Sequence, residues 1–278
     1  MLGLRPKFPL PGLLQLAGLA RSTFYYQRAA LAAPDKYAEL KAQIGEVFAY
    51  HKGRYGYRRV TGAIRASGVV IAFKTVQRLM VELGLKSLVR LKKYKSYRGE
   101  MGTAAENHLD RQFRATDVNQ KWVTDVTEFK VPGGKVYLSP VMDLCNGEIV
   151  TYTMDTRPSL EMVTGMLRNA LATLPEGAQP MMHSDQGWQY RMPLYQTLLK
   201  QKGLKQSMSR KGNCHDNAAM ESFFAVLKSE YFHLNKFSSV EELKKGLNEY
   251  IRYYNHERIK MQLNGLSPVA FRAQLSMN

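Results

Sequence analysis

Trp122-Val-Thr-Asp125-Val-Thr-Glu-Phe-Lys-Val131 reads as a β-strand, because β-branched and aromatic residues dominate it and Pro132-Gly133-Gly134 behind it is turn chemistry. Two more β-rich runs follow at 135–144 and 148–155, divided by Asn146-Gly147, so hairpins join three antiparallel strands. Ser159 then caps a helix that carries Met162, Met166, Leu167 and Ala170 on one face. A fourth strand, Pro180 to Asp185, precedes a helix over 192–202, a short fifth strand at 205–209 and a helix from Asp216 to Glu230. The last long helix spans Val240 to Tyr254. Hairpin strands followed by alternating helix and strand predict an α/β fold, a mixed sheet with helices packed on it.

The amino half has a different texture. Val60 and Ile64 mark one helix that ends near Gly68; Val76, Leu79, Met80 and Leu83 recur at helical spacing in a second, which Gly84 stops. Two short helices carrying Arg58, Arg59, Arg65, Lys74 and Arg78 predict a helix-turn-helix module. An earlier candidate runs from Leu13, with Gly18 making the turn and Ser22 capping the next helix. Between Lys86 and Arg98 the chain holds Arg90, Lys92, Lys93 and Lys95 with interleaved tyrosines and no acidic residue, a pattern suited to phosphate contact. These features divide the chain into a helix-turn-helix-like segment at 1–34, a basic helix-turn-helix domain at 35–98, a polar linker at 99–118 and the mixed-sheet domain at 119–278.

Lys and Arg number 40 against 23 acidic residues, a net charge of +17 in 278 residues. Such an excess favours a polyanionic partner; a basic protein with incidental charge is the competing reading of composition alone. No run approaches the roughly 20 apolar residues of a membrane span, and Pro6, Pro9 and Pro11 break up the leucine-rich amino end, which does not read as a signal peptide. Cys145 and Cys214 stand far apart, so neither a disulfide framework nor a zinc ribbon is expected, and a reducing cytoplasmic setting follows.

Within the sheet domain, Asp125 falls in the middle of the first strand, where a carboxylate is costly unless it is paired or holds a metal. Asp185 ends the fourth strand at His183-Ser-Asp-Gln-Gly187. Parallel pairing of the first and fourth strands would set the two aspartates side by side. Glu221 lies on the 216–230 helix with Ala218 and Ala225 on its face, small enough for close approach to the sheet. Three gathered carboxylates repel one another without a cation, and oxygen-only ligation suits Mg²⁺ or Mn²⁺. Two such ions, about 4 Å apart, clamp the attacking and leaving oxygens of a phosphoryl displacement. Among 23 acidic residues, however, a trio with suitable spacing also arises by chance.

Context narrows the choice. Trp122-Val-Thr-Asp125-Val-Thr, His183-Ser-Asp185-Gln-Gly-Trp-Gln-Tyr190 and Ser209-Arg210-Lys211-Gly-Asn-Cys-His-Asp-Asn217-Ala-Ala-Met-Glu221-Ser-Phe-Phe resemble the three acidic motifs of OrfB-type insertion-sequence transposases of the retroviral-integrase superfamily. The likeness continues through Leu227-Lys228-Ser-Glu-Tyr, Tyr253-Tyr-Asn-His-Glu-Arg258, Gly265-Leu-Ser-Pro-Val-Ala-Phe-Arg272 and, upstream, Gly53-Arg-Tyr-Gly-Tyr-Arg-Arg59. It implies an RNase H-like catalytic core in which Asp125, Asp185 and Glu221 hold two Mg²⁺ (or Mn²⁺) ions, and Lys228 holds DNA near the cut. It further implies two in-line displacements on DNA. Water opens the element's end to leave a 3′-hydroxyl, and that hydroxyl attacks a second phosphodiester.

Retroviral integrases carry a zinc-binding amino module whose spacing is missing here, so the helix-turn-helix segments are expected to engage double-stranded DNA. In this subgroup an upstream reading frame, fused by frameshifting, supplies another helix-turn-helix and a coiled coil. Lacking a leucine heptad, this chain is read as the second-frame product, with that upstream product as a possible partner. Synapsis of two ends implies at least a dimer, acting at the bacterial nucleoid. Arg210 and Lys211 join the DNA-contact candidates, and Asn217 and His183 are expected to support the site. Asp143, Asp155 and Asp216 are expected in turns or salt bridges, and Trp122 and Trp188 in the core or the cleft wall. Two alternatives stay open: a non-catalytic DNA-binding regulator of the full-length enzyme, and a nuclease that only hydrolyses.

Overall fold

The structure, a computed structural model, describes residues 2–89, 105–210 and 214–277. The expected DNA contacts Arg90, Lys92, Lys93, Lys95 and Lys211 lie outside these residues, as do 99–104 of the expected linker. The chain forms two compact units, Met1–Glu46 and Val47–Asn278.

In the first unit α1 (Leu10–Leu16) and α2 (Arg21–Ala32) meet at Gly18, whose φ of +62° makes the turn. Leu10, Leu14 and Phe24 form a small core between them. Ser22 does not cap α2. Extended Ala20 (φ −65°, ψ 144°) opens the helix first, which puts Ser22 inside the first turn. A third helix, α3 (Ala38–Tyr50), which the sequence reading does not anticipate, runs across the boundary into the second unit.

The second unit begins with α4 (Tyr57–Ala66) and α5 (Phe73–Glu82), the expected helix pair. Val60, Ile64, Val76, Leu79 and Met80 are buried; Leu83 is exposed, because it caps α5 beyond its last turn. Six strands follow in one sheet: β1 (Lys121–Thr124), β2 (Thr127–Val131), β3 (Gly134–Asp143), β4 (Ile149–Asp155), β5 (Met181–Ser184) and β6 (Gln206–Met208). β3 is the hub, antiparallel to β1, β2 and β4, while β1, β5 and β6 run parallel to one another. This is the mixed sheet that the hairpin and crossover pattern predicts.

The expected first strand is broken, so Asp125 does not sit in its middle. Thr124 faces Val141 and Thr127 faces Leu138 in one unshifted register along β3. Asp125 and Val126 therefore fall opposite Pro140 and Ser139. Pro140 has no N–H to give to the ladder at Asp125, and the Val126 N–H, on the side away from β3, goes to Asp125 Oδ1 at 2.7 Å.

Period-2 alternation sends neighbouring strand residues to opposite faces. Trp122 packs with α6 (Leu160–Ala172) and α7 (Pro193–Gln201), including Met166, Leu167 and Tyr195. Val123 packs with α8 (Ala218–Glu230) and α9 (Val240–His256), including Phe223, Leu227 and Leu247. Ser159 Oγ accepts the Met162 N–H at 3.1 Å, the predicted cap of α6. A last helix, α10 (Pro268–Met277), follows α9.

One buried carboxylate fastens these parts together. Glu230, the last residue of α8, takes two hydrogen bonds from Arg258 (both 2.7 Å), one from Arg59 on α4 (3.2 Å) and one from the Tyr250 hydroxyl on α9 (3.0 Å). Arg54 Nε also donates to the Glu230 carbonyl at 3.1 Å. Burial pushes the Glu230 carboxyl up, but these donors and cations hold it below its ordinary value. Removing one side of such a pair leaves a charge buried without compensation. Glu230→Ala is therefore expected to lose about 3–5 kcal/mol of stability in urea unfolding; a loss under about 1 kcal/mol would show the cluster to be a surface pair in effect.

Candidate active site

β1 and β5 pair in parallel with Lys121, Trp122 and Val123 opposite Met181, Met182 and His183. The same offset carries past both strand ends and sets Asp125 opposite Asp185. Each carboxylate is fixed by backbone at its own strand end: Asp125 Oδ1 by the Val126 N–H, and Asp185 Oδ1 by the Gly187 N–H at 2.9 Å. A Cβ at Gly187 would stand 2.9 Å from Asp185 Oδ1, so glycine is what lets the backbone wrap this carboxylate.

Glu221 and Lys228 come from α8. By strand alternation Asp125 shares the face of Val123, the face that α8 covers. The start of α8 is tied to that strand: the buried Asn217 donates through Nδ2 to the Thr124 carbonyl, next to Asp125, at 3.2 Å. One residue earlier, buried Asp216 accepts Arg210 Nε (3.0 Å), Arg210 Nη2 (3.1 Å), Arg111 Nε (3.0 Å) and Asn107 Nδ2 (2.9 Å). The hydrogen bond from Arg210 above all holds its carboxyl well below the usual range. Asp216 thus clasps the loop before α8 to the residues that lead into the sheet.

The charges of this cluster act on one another. Burial first, then the neighbouring Asp185, pushes the Asp125 carboxyl well above its ordinary pKa; Glu221 adds to the rise, and Lys228 opposes it. Asp185 is also raised by burial, against the Gly187 N–H and Arg191. Lys228 Nζ lies 5.3 Å from the centre of the Phe129 ring, and burial lowers its pKa against the pull of Asp125 and Glu128. All the acidic donors are oxygens, and two of them are side by side in a setting that resists full ionisation. That chemistry fits a hard divalent cation. Among the described residues no three His, Cys, Asp or Glu side chains already converge as a metal-binding group, so Glu221 is near the aspartate pair but not closed onto it.

The remaining expected site residues separate into those facing inward and those facing outward. His183 is fully buried between Ser207 and Ser209. Ser207 Oγ accepts the N–H groups of His108 (2.9 Å) and Leu109 (3.0 Å), so its proton goes to His183 Nδ1 at 2.9 Å. His183 Nε2–H then donates to Ser209 Oγ at 3.2 Å. Burial drops the His183 pKa to about 4. It is a buried, neutral imidazole two residues before Asp185. Arg59 points inward at Glu230, whereas Arg58, Lys74 and Arg78 are exposed on α4 and α5. Asp143 is buried against Arg272 Nη2 (3.1 Å), and Asp155 accepts the Thr156 N–H, both of them ion-pair or turn roles. Trp122 is buried and Trp188 is 46% exposed. The sequence reading assigns no role to Arg191, whose charge Asp185 feels, or to Glu230. Glu230 lies within the quoted motif that begins at Leu227, and Arg191 directly follows the Asp185 motif.

The chain is similar to known proteins along most of its length. The integrase core domain pattern matches residues 115–214, a second integrase core pattern matches 221–275, and an HTH-like domain matches 35–93. The chain is 54% identical over 274 residues to the InsK transposase for insertion sequence element IS150 of Escherichia coli (strain K12), covering 99% of this chain and 97% of that protein. It is 32% identical over 271 residues to the InsF transposase for insertion sequence IS3A of the same organism, covering 95% of this chain and 94% of that protein. Among solved structures, the HTLV-2 integrase catalytic core domain in complex with magnesium (dimeric form) is similar at 16% identity and a TM-score of 0.45, over 56% of this chain and 97% of that one.

Burial and mutual repulsion, which raise both carboxyls, cost the fold stability only above the ordinary carboxylate pKa of about 4, where the unfolded chain ionises. Asp125→Asn keeps the acceptor for the Val126 N–H and removes the repulsion. At pH 7 without divalent ions it is expected to raise Tm by about 2–4 °C per kcal/mol relieved, with the gain vanishing near pH 3, where both carboxylates are protonated. Calorimetry at the two pH values checks this; a lower Tm at pH 7 would contradict it.

Proposed function

The chain belongs to the insertion-sequence transposases with an integrase core, and from that membership we propose that it cuts DNA at the ends of its element and joins the resulting 3′-hydroxyl to new DNA. The observation that carries this reading is the in-register pairing of β1 with β5, which aligns Asp125 with Asp185, together with the Asn217 tie that holds the Glu221 helix against the same strand.

Asp125, Asp185 and Glu221 would hold two Mg²⁺ or Mn²⁺ ions, which when bound supply Lewis-acid stabilisation of the attacking and leaving oxygens. The protein's own residues do the rest. The backbone N–H groups of Val126 and Gly187 orient the two aspartates. Lys228, a half-buried cation whose charge acts on Asp125, meets the phosphate whose diester is attacked. In the first step water adds to phosphorus and the strand's 3′-oxygen leaves with a proton. In the second that hydroxyl attacks a phosphodiester of the target, and the target's 3′-oxygen leaves. Neither step needs a covalent bond to protein.

The HTH-like segment within 35–98 presents Arg58, Lys74 and Arg78 to duplex DNA, and the Glu230 cluster keeps that segment at a fixed distance from α8. We assign 1–34 and 99–118 to an accessory segment and a linker. Pairing of two element ends calls for at least a dimer. Two-sided contact with DNA also suits the net charge of +17.

The test is a strand-transfer assay with labelled element-end DNA and Mg²⁺, comparing wild type with Glu221→Gln. Wild type is expected to nick and join, and the variant to lose both by about a thousandfold or more while binding the same DNA. A wild-type protein that binds without nicking would sink the enzymatic reading; a fully active Glu221→Gln would sink the acidic trio.

A further inference from the structure

Resting on the proposed function, the geometry points to Trp188 as a stacking platform for one nucleobase that leaves the duplex beside the cut. Four observations carry it. First, the chain has two tryptophans, and they differ sharply: Trp122 is wholly buried, while Trp188 is 46% exposed. Trp188 therefore keeps a large part of its indole open to a ligand.

Second, its position is set by the site. Trp188 directly follows Gly187, whose N–H holds the Asp185 carboxylate at 2.9 Å. The indole is therefore anchored within three residues of a reacting centre. Third, the turn that carries it is held firmly. Residues Trp188–Arg191 form one 3₁₀ turn. Its Tyr190 is fully buried, 5.3 Å edge-to-face from Tyr195, and its Tyr190 carbonyl accepts Gln206 Nε2 at 2.8 Å. Arg191 Nη2 bonds Gln186 Oε1 at 3.2 Å, bracing the other end. The inward side of the turn is locked while Trp188 is exposed, so the backbone that carries the indole is held in place. Fourth, the surroundings suit a nucleotide. Arg191 lies in the same turn, three residues after Trp188 and bonded to Gln186 beside Asp185, so a guanidinium accompanies the indole at this loop.

A planar apolar face next to a guanidinium and a phosphate-handling site is the arrangement that binds an unpaired base, whatever its identity. Removing one base from the stack at the element's end would also let the strand bend towards the aspartates. The occupant is thus a single unstacked nucleobase next to the scissile phosphate. A second protein surface is the competing occupant.

The experiment uses the full chain and two readouts. Because Trp122 is buried, a solvent-side change in indole fluorescence reports Trp188. Element-end DNA with an unpaired terminal base is expected to quench that emission, and a fully paired internal duplex is not; in Trp188→Phe the quenching disappears. Equal quenching by both DNAs, no quenching, or quenching that follows protein concentration instead of DNA would overturn the proposal. In strand transfer, Trp188→Ala is expected to fall about 10- to 100-fold and Trp188→Phe to stay within about threefold. An abasic nucleotide at the stacked position should make the Trp188→Ala defect disappear, which a merely structural role would not do. Additive losses at every abasic position overturn it. If wild type shows the selective quenching but never joins DNA, the platform stands and the transposase reading falls. Joining without quenching gives the reverse.

Discussion

Two carboxylates set at the ends of neighbouring parallel strands are the constraint around which the rest of this chain is arranged. The β1–β5 register leaves Asp125 and Asp185 no means of separating, and burial denies them the water that would screen their repulsion. Left to itself the pair opposes folding. It is tolerated because the two cores, one on each face of the sheet, are large and well filled and because backbone N–H groups satisfy one oxygen of each acid. This is strain of an electrostatic kind, concentrated where a polyanionic substrate and its counter-ions would meet the protein.

Several unrelated contacts make sense as supports for that pair. The Val126 N–H, just past the end of β1, holds Asp125. Asn217 ties the head of α8 to the last residue of β1, Asp216 clasps the loop in front of it, and Glu230 clamps its tail to α4 and α9. The helix bearing Glu221 and Lys228 is therefore fixed at both ends. The same clamp links the HTH-like helices to the helix bearing Glu221 and Lys228 through Arg59. His183 contributes differently. As a neutral imidazole it joins β5 to Ser207 and Ser209 without adding a charge near the carboxylates.

Much of this was legible in the sequence. Strand composition, the Pro-Gly-Gly and Asn-Gly turns, the Ser159 cap and the glycines at 18, 68 and 84 are local signals, and the elements they predict are present. The side-by-side placement of Asp125 and Asp185 also followed, since it needs only a parallel pairing. The failures share one cause, dependence on distant partners. Asp125 looked mid-strand because the residue that interrupts the ladder, Pro140, belongs to another strand. Ser22 looked like a cap because Ala20 gives no sequence sign of its extended backbone. Arg59 looked like a DNA contact because its partner, Glu230, lies 171 positions away. Helices α3 and α10 lacked any signal strong enough to be singled out.

The most direct measurement of the central claim is a carbon-13 NMR titration of the Asp125 side-chain carboxyl without divalent ions, repeated in Asp185→Asn. The account predicts a midpoint clearly above the ordinary aspartate value of about 4 in the wild type, and a fall towards it when the neighbouring charge is removed. A midpoint near the ordinary value that ignores the loss of Asp185 would contradict the account, because the two carboxylates would then not share a site.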